Sequence, residues 1–246
     1  MLTIVRETDR ERVLTVLIDE TVMDVDVLRA LDSVLDGVEH DGIENLVLQF
    51  SGNSTSVAGD FPSWCPGPVR SDIRFFARWD ETLARISRLK TKTFAAYDGR
   101  AGAAAVHVGL VMDLRLASAP ARLALGSLAE GRFPGMGAHW LPKFIGLGNA
   151  RKLFLVGEDL PAKRASELGL VDVVEDTVDA VVEATLDATR SITPEAAYFS
   201  RRILDDCYLL EHSAAVERVK AARFKLGMPI VSTKTSRELN VGRSMS

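Results

Sequence analysis

The sequence predicts an α/β protein, and three observations predict it. Short β-rich or apolar runs at positions 12–18, 45–50 and 93–97 read as strands. Between them, Val25, Val27, Leu28, Leu31, Val34, Leu35 and Val38 recur at the spacing of an amphipathic helix, and a second helix is expected over 73–89. From Thr193-Pro194-Glu195 to Phe224 the pattern is helical alone.

Size and composition set the outer limits. A chain of 246 residues, 47% hydrophobic and 26% charged, suits one soluble α/β domain with a short appendage. The formal charge is -4 with no basic block, so nucleic acid is not an expected partner. Cys65 and Cys207 have neither metal-ligand spacing nor a disulfide pattern, which makes a reducing cytoplasm the expected compartment. His40, His107, His139 and His212 are scattered, so no metal site is expected. No Gly-x-Gly-x-x-Gly joins a strand to a helix, so a nicotinamide site is not expected. Arg6 and Glu7 come before any long apolar run, so neither a signal peptide nor a membrane partner is expected.

Taken in order, residues 2–6 and 12–18 form a hairpin turning at Glu7-Thr8-Asp9-Arg10, at the outer edge of the sheet. The helix at 25–38 leads to a buried strand at 45–50. Residues 51–68 turn to Gly, Ser, Pro and Asn with Trp64 and Cys65, a long loop of the kind that carries function. After the helix at 73–89, the strand at 93–97 closes on the turn dipeptide Asp98-Gly99. Gly102-Ala103-Ala104-Ala105 then opens a second apolar segment lasting to Met112. The first amide N–H groups of a helix starting there have no intrahelical acceptor, which suits an oxygen carrying negative charge. Beyond Gly146, Ala150, Leu153, Phe154 and Val156 mark a helix stopped by Gly157. Another, over 161–168, has Pro161 at its start and Gly169 at its stop. The C-terminal helical pattern, capped by Thr193, breaks near Asp205-Asp206 and ends at Gly227, Met228 and Pro229.

Asp98-Gly99, Ala103-Ala104-Ala105, Asp113, Ala117-Ser118, Ala121 and Pro134-Gly135-Met136-Gly137 stand in the order of a known pattern, and residues 157–172 continue it with Ala162, Ala165 and Gly169-Leu170-Val171. Over about residues 3–174 the chain resembles the crotonase (enoyl-CoA hydratase/isomerase) superfamily. The resemblance implies a crotonase-like ββα spiral core over 1–190, a C-terminal helical trimerisation region over 191–229 and a loosely ordered polar tail over 230–246. It further implies a homotrimer or hexamer, and an acyl thioester substrate carried by coenzyme A or a carrier protein's phosphopantetheine, with no cofactor. Asp19-Glu20-Thr21 replaces the family's Arg-Pro…Asn-Ala segment near the CoA moiety, so the usual nucleotide contacts are not expected.

At the implied site the thioester carbonyl faces two backbone amides. One belongs to Ala104; the other is Gly59 or Asp60, in an Ala58-Gly59-Asp60 segment one residue shorter than the family's, unless that segment is a plain glycine turn. The family's two hydratase glutamates fall on His107 and Ser127, so hydration by a glutamate pair is not expected. His107 could take an α-proton as a neutral imidazole, kept neutral by the positive end of the helix, or be a core histidine. Ser127 could hold a water or a substrate hydroxyl, or cap a turn. Glu130 shares a helical face with Ser127, or lies on the surface. Gly135, His139 and Trp140 border the acyl pocket by resemblance, although His139 could simply cap or pack, while Asp113 is expected to be structural. The Gly-Met-Gly turn with Ala138-His139 is similar to a decarboxylating branch found beside polyketide synthases. The reactions implied are isomerisation, hydration or dehydration, or decarboxylation in a specialised pathway such as polyketide synthesis. The alternative is an accessory subunit that keeps the scaffold and performs little chemistry.

Overall fold

The computed structural model describes residues 2–8, 12–18, 22–23, 25–51, 56–57, 73–125, 137–208 and 210–225. The chain divides into two compact units, Met1–Tyr198 and Phe199–Ser246.

Unit one is built on a six-stranded sheet. Its first strand, β1 (Leu2–Thr8), pairs antiparallel with β2 (Val13–Ile18) as the outer edge. From β2 inward the pairing is parallel, through β4 (Asn45–Phe50), β6 (Lys92–Tyr97), β8 (Leu114–Ser118) and β11 (Val173–Glu175). Strands paired on both sides and covered on both faces read as continuous apolar runs. Accordingly all six residues of β6 are buried. A two-residue pair, β3 (Val22–Met23) with β5 (Ser56–Val57), lies outside this sheet. The region expected to be irregular thus contributes a short strand at Ser56 and Val57.

Helix α1 (Val25–His40) buries Val27, Leu28, Leu31, Leu35 and Val38, the residues its spacing singled out. Helix α2 (Ile73–Ile86) ends earlier than expected. There the amides of Arg88 and Leu89 donate to Arg85 and Ile86, so the last turn tightens to three-residue closure while Leu89 stays buried. Between the two helices, Arg78 binds Asp32, and Arg85 spans Asp36 and Glu39.

A smaller sheet positions the site. The strand β7 (Arg100–Gly102) runs straight into helix α3 (Ala103–Leu110), and pairs in parallel with β9 (Arg122–Ala124), which meets β10 (Asp159–Pro161) antiparallel. Gly99, at φ +75°, makes the turn from β6 into β7 in a conformation that favours glycine. Helix α4 runs over Gly137–Val156, although only its second half was expected, because Gly146 at φ 77° interrupts it. Pro161 ends β10 and caps α5 (Ala162–Glu167), and Gly169 at φ +84° turns the chain back. Helix α6 (Val178–Ala188) is capped by the Thr177 side chain.

Helix α7 (Pro194–Cys207) begins where Thr193 Oγ1 accepts the Ala196 amide at 3.2 Å. In unit two, α8 (His212–Lys225) follows a break after Cys207, later than the expected one at Asp205-Asp206. Asp206 remains helical and pairs with Arg218 and Arg202.

Candidate active site

Helix α3 is short because its sequence leaves it no polar face. Seven of its eight residues are buried, from Ala104 to Leu110. Two contacts fix it against the main sheet. Asp113, just past its end, accepts from the Thr93 amide and hydroxyl on β6 at 2.8 and 3.0 Å, the structural role expected of it. Across the sheet face, Tyr97 extends its hydroxyl to the Ala105 carbonyl at 3.4 Å. The small residue Gly109 makes this possible, because a Cβ there would stand 1.9 Å from the Tyr97 oxygen.

The junction at Ala103 opens a helix capped by Gly102 in extended backbone without a side-chain bond. Ala104 is its second residue, so its N–H lies among those with no intrahelical acceptor. His107, three residues on, shares a helical side with it.

His107 is buried, with 6% of its surface exposed, and its Nε2 has no hydrogen-bond partner among the described residues. Burial alone pushes its pKa down to about 4. The helix dipole does not explain this, contrary to the expectation, because His107 occupies the last turn of an eight-residue helix. The ring is therefore neutral at physiological pH, as expected, but for want of water. A fully buried polar nitrogen without a partner is costly, and a catalytic role is one reason for a fold to keep one.

Facing Nε2 is the first residue of α4. A Cβ built on Gly137 would stand 2.5 Å from Nε2, 3.1 Å from Cδ2 and 3.3 Å from Cε1 of His107. The last residue of the Pro-Gly-x-Gly motif thus brings main chain directly onto the imidazole. Sequence reasoning placed that motif at the site but singled out Gly135 instead.

His139 and Trp140 lie on the first turn of α4. At about 100° per residue, His139 is roughly 200° around the axis from Gly137, on the opposite side of the helix. His139 is exposed, and its Nε2 lies 2.9 Å from Lys143 Nζ. Its ring meets Trp140 edge-on at 5.0 Å, and Lys143 Nζ sits 4.3 Å from the Trp140 ring centroid. Trp140 itself is partly buried against the main core. The structure therefore brings Ala104, His107 and the start of α4 together and gives His139 to a separate cluster with Lys143. Gly59, Asp60, Ser127, Glu130 and Gly135 lie outside the described residues, as do Asp19-Glu20-Thr21 and the tail at 230–246. Among the described residues no group of three His, Cys, Asp or Glu could hold a metal, and no helix is long and apolar enough to cross a membrane.

This arrangement of parallel sheet, short buried helix and facing helix start can be compared with known proteins. The family model described as enoyl-CoA hydratase/isomerase matches residues 22–238. The chain belongs to the enoyl-CoA hydratase/isomerase family. Among its relatives, the "Probable enoyl-CoA hydratase" of Bacillus subtilis (strain 168) is 29% identical over 150 residues, 60% of this chain and 58% of that protein. The short-chain-enoyl-CoA hydratase of Clostridium acetobutylicum is 24% identical over 73% of this chain and 71% of its own length. A family structure from Thermobifida fusca YX, solved in complex with CoA, superposes with a TM-score of 0.76 at 20% identity, covering 92% of each chain. At that identity the likeness shows the fold, a crotonase-type α/β architecture. The chain thus spans well under two thirds of the Bacillus relative's length and somewhat more of the Clostridium one.

Proposed function

We propose that the protein is an enzyme of acyl thioester chemistry that moves a proton at the carbon beside the thioester carbonyl. His107 is the acid/base group, and the Ala104 N–H is one donor to the enolate oxygen. Gly59 or Asp60 supplies the other, and coenzyme A or a phosphopantetheine carries the acyl group. The observation that carries this reading is the Nε2 of His107, buried and without a hydrogen-bond partner among the described residues, on the helix whose first amides lack intrahelical acceptors.

The charge balance favours some outcomes over others. A neutral imidazole that takes the α-proton becomes an imidazolium, and the electron pair left behind places negative charge on the carbonyl oxygen. Donors preorganised at that oxygen, in a site without water, are typically worth about 2.7–4 kcal/mol of barrier each. With a conjugate-acid pKa of about 4, the imidazole is as basic as an ordinary carboxylate but adds no negative charge to the cavity. Hydration needs a second group to activate water; proton transfer alone needs one. Isomerisation, or protonation of the carbanion left by decarboxylation, therefore fits better than hydration, and a specialised pathway suits that departure from the hydratase pattern. A homotrimeric or hexameric assembly is part of the same reading.

The test is exchange of the α-hydrogen of butyryl-CoA in deuterated water. The expected result is exchange in the native protein that falls by about 100-fold or more in His107→Ala. Exchange undiminished in that variant would remove the histidine from the mechanism. Absence of both exchange and thioester binding in the native protein would leave the accessory-subunit reading, which the enclosure of Nε2 against Gly137 favours.

A further inference from the structure

The geometry points to Gly137 as a positioning residue for His107, an inference that rests on the acid/base reading above. Two explanations for a glycine at the start of α4 compete. One is backbone conformation, and it is the weaker, because Gly137 is the first helical residue of α4 and helical backbone does not call for glycine. Every residue type except proline loses less on entering a helix than glycine does, so a glycine there needs a reason other than propensity.

The other explanation is space. A Cβ at 137 would fall 2.5 Å from Nε2, inside the closest approach of real atoms, with two further ring atoms within 3.3 Å. Gly137 and His107 are both buried, so the two groups meet in a packed interior rather than at the surface. An added methyl must turn the ring away from its rotamer or lift the start of α4 from the site. The first response moves Nε2, the atom assigned to the proton, relative to the Ala104 N–H on the same helix; the second takes away the main chain that the ring packs against. Displacements of about 1 Å at a reacting atom can cost on the order of 100-fold in rate. Nothing in this contact binds substrate; Gly137 acts through His107 alone.

The experiment uses the full chain with Gly137→Ala, His107→Ala and the pair. Butyryl-CoA α-hydrogen exchange and the imidazole NMR signals of His107 are read together. The expected result is that Gly137→Ala lowers exchange by about 100-fold with a change in butyryl-CoA KM below about threefold, and shifts the His107 ring signals and titration. In the His107→Ala background the same substitution is expected to be silent. Unchanged ring signals in Gly137→Ala, or an equal loss of exchange with and without His107, would overturn the inference. Should Gly137→Ala fail to fold, the double variant decides. Folding restored to the level of His107→Ala supports the contact, because removal of the ring makes room for the methyl, and failure of the pair overturns it. Undiminished exchange in His107→Ala overturns the acid/base reading and with it the catalytic sense of this one, while the ring signals of Gly137→Ala still report the contact by themselves.

Discussion

A single carboxylate oxygen, Oδ2 of Asp113, accepts both the amide and the hydroxyl of Thr93, at 2.8 and 3.0 Å. In return the Asp113 amide donates to the Thr93 hydroxyl and carbonyl, each at 3.0 Å. This exchange locks the end of α3 to the start of β6, and so fixes the helix that carries Ala104 and His107. Thr93 is fully buried. Asp113→Ala takes the acceptor from its amide in a place water does not reach and is expected to destabilise the fold by about 2–3 kcal/mol. Thr93→Val removes the hydroxyl alone and is expected to cost about 1 kcal/mol. Urea denaturation of both variants checks the order.

The contact between Tyr97 and Gly109 sets two effects of opposite sign against each other. Gly109→Ala raises helix propensity by about 1 kcal/mol. The new methyl, however, would stand 1.9 Å from the Tyr97 oxygen and 3.2 Å from the Ala95 side chain. Overpacking of a dense core costs about 1–3 kcal/mol, so the clash is expected to win and Gly109→Ala to lower stability. Tyr97→Phe removes the offending oxygen and leaves a ring carbon at 3.1 Å. The double variant is therefore expected to recover part of the loss, a positive coupling that a thermal-denaturation cycle measures.

Much of the scaffold was legible because its signals are local. The apolar residues Leu46, Val47, Leu48 and Phe50 make a strand buried on both faces, and the spacing from Val27 to Val38 is one helical stripe. The small residues at Ala103, Ala104 and Ala105 mark the junction where β7 becomes α3. Three-residue strands such as β7, β9 and β10 are too short to show a period, and Pro142 with Gly146 hides the first half of α4. At the site, the position of His107 was legible but the cause of its lowered pKa was not, because burial depends on how α3 packs. The approach of Gly137 to Nε2 joins residues far apart in the chain, and only the second glycine of Pro-Gly-x-Gly gave notice of it.

Burial of His107 makes stability depend on pH, and the sign follows from which state binds the proton. The ordinary histidine value near 6.5 holds in the unfolded chain, whereas the folded value is pushed down to about 4. Between those limits the unfolded state binds more protons, so stability is full above about pH 6.5 and is lost as pH falls toward 4. Below that the contribution stays flat. The effect is on the order of 3 kcal/mol as an upper bound, since relaxation and water entry reduce it. Urea midpoints between pH 7 and 4.5 are expected to fall for the native protein and to fall less for His107→Leu. Exchange activity is expected to stay level from about pH 8 down to 5, because the imidazole remains in its base form throughout.

Arg115 ties the sheet to α4, and its two partners contribute in different ways. Its Nη2 donates to Asp172 Oδ1 at 2.7 Å and its amide to Asp172 Oδ2 at 2.7 Å, while the guanidinium carbon lies 4.1 Å from the Phe144 ring centroid. The side chain of Arg115 is only 5% exposed against 28% for Asp172, so the burden of desolvation lies on the arginine. Asp172→Ala strands a buried cation and is expected to cost about 3–5 kcal/mol. Arg115→Met removes the charge, keeps an unbranched apolar stem against Phe144 and leaves a carboxylate near enough to solvent to stay hydrated, so it is expected to cost less. Denaturation of the two variants at low and high salt gives the comparison. A larger loss for Arg115→Met than for Asp172→Ala would mean that the stack on Phe144, more than the ion pair, holds α4 in place.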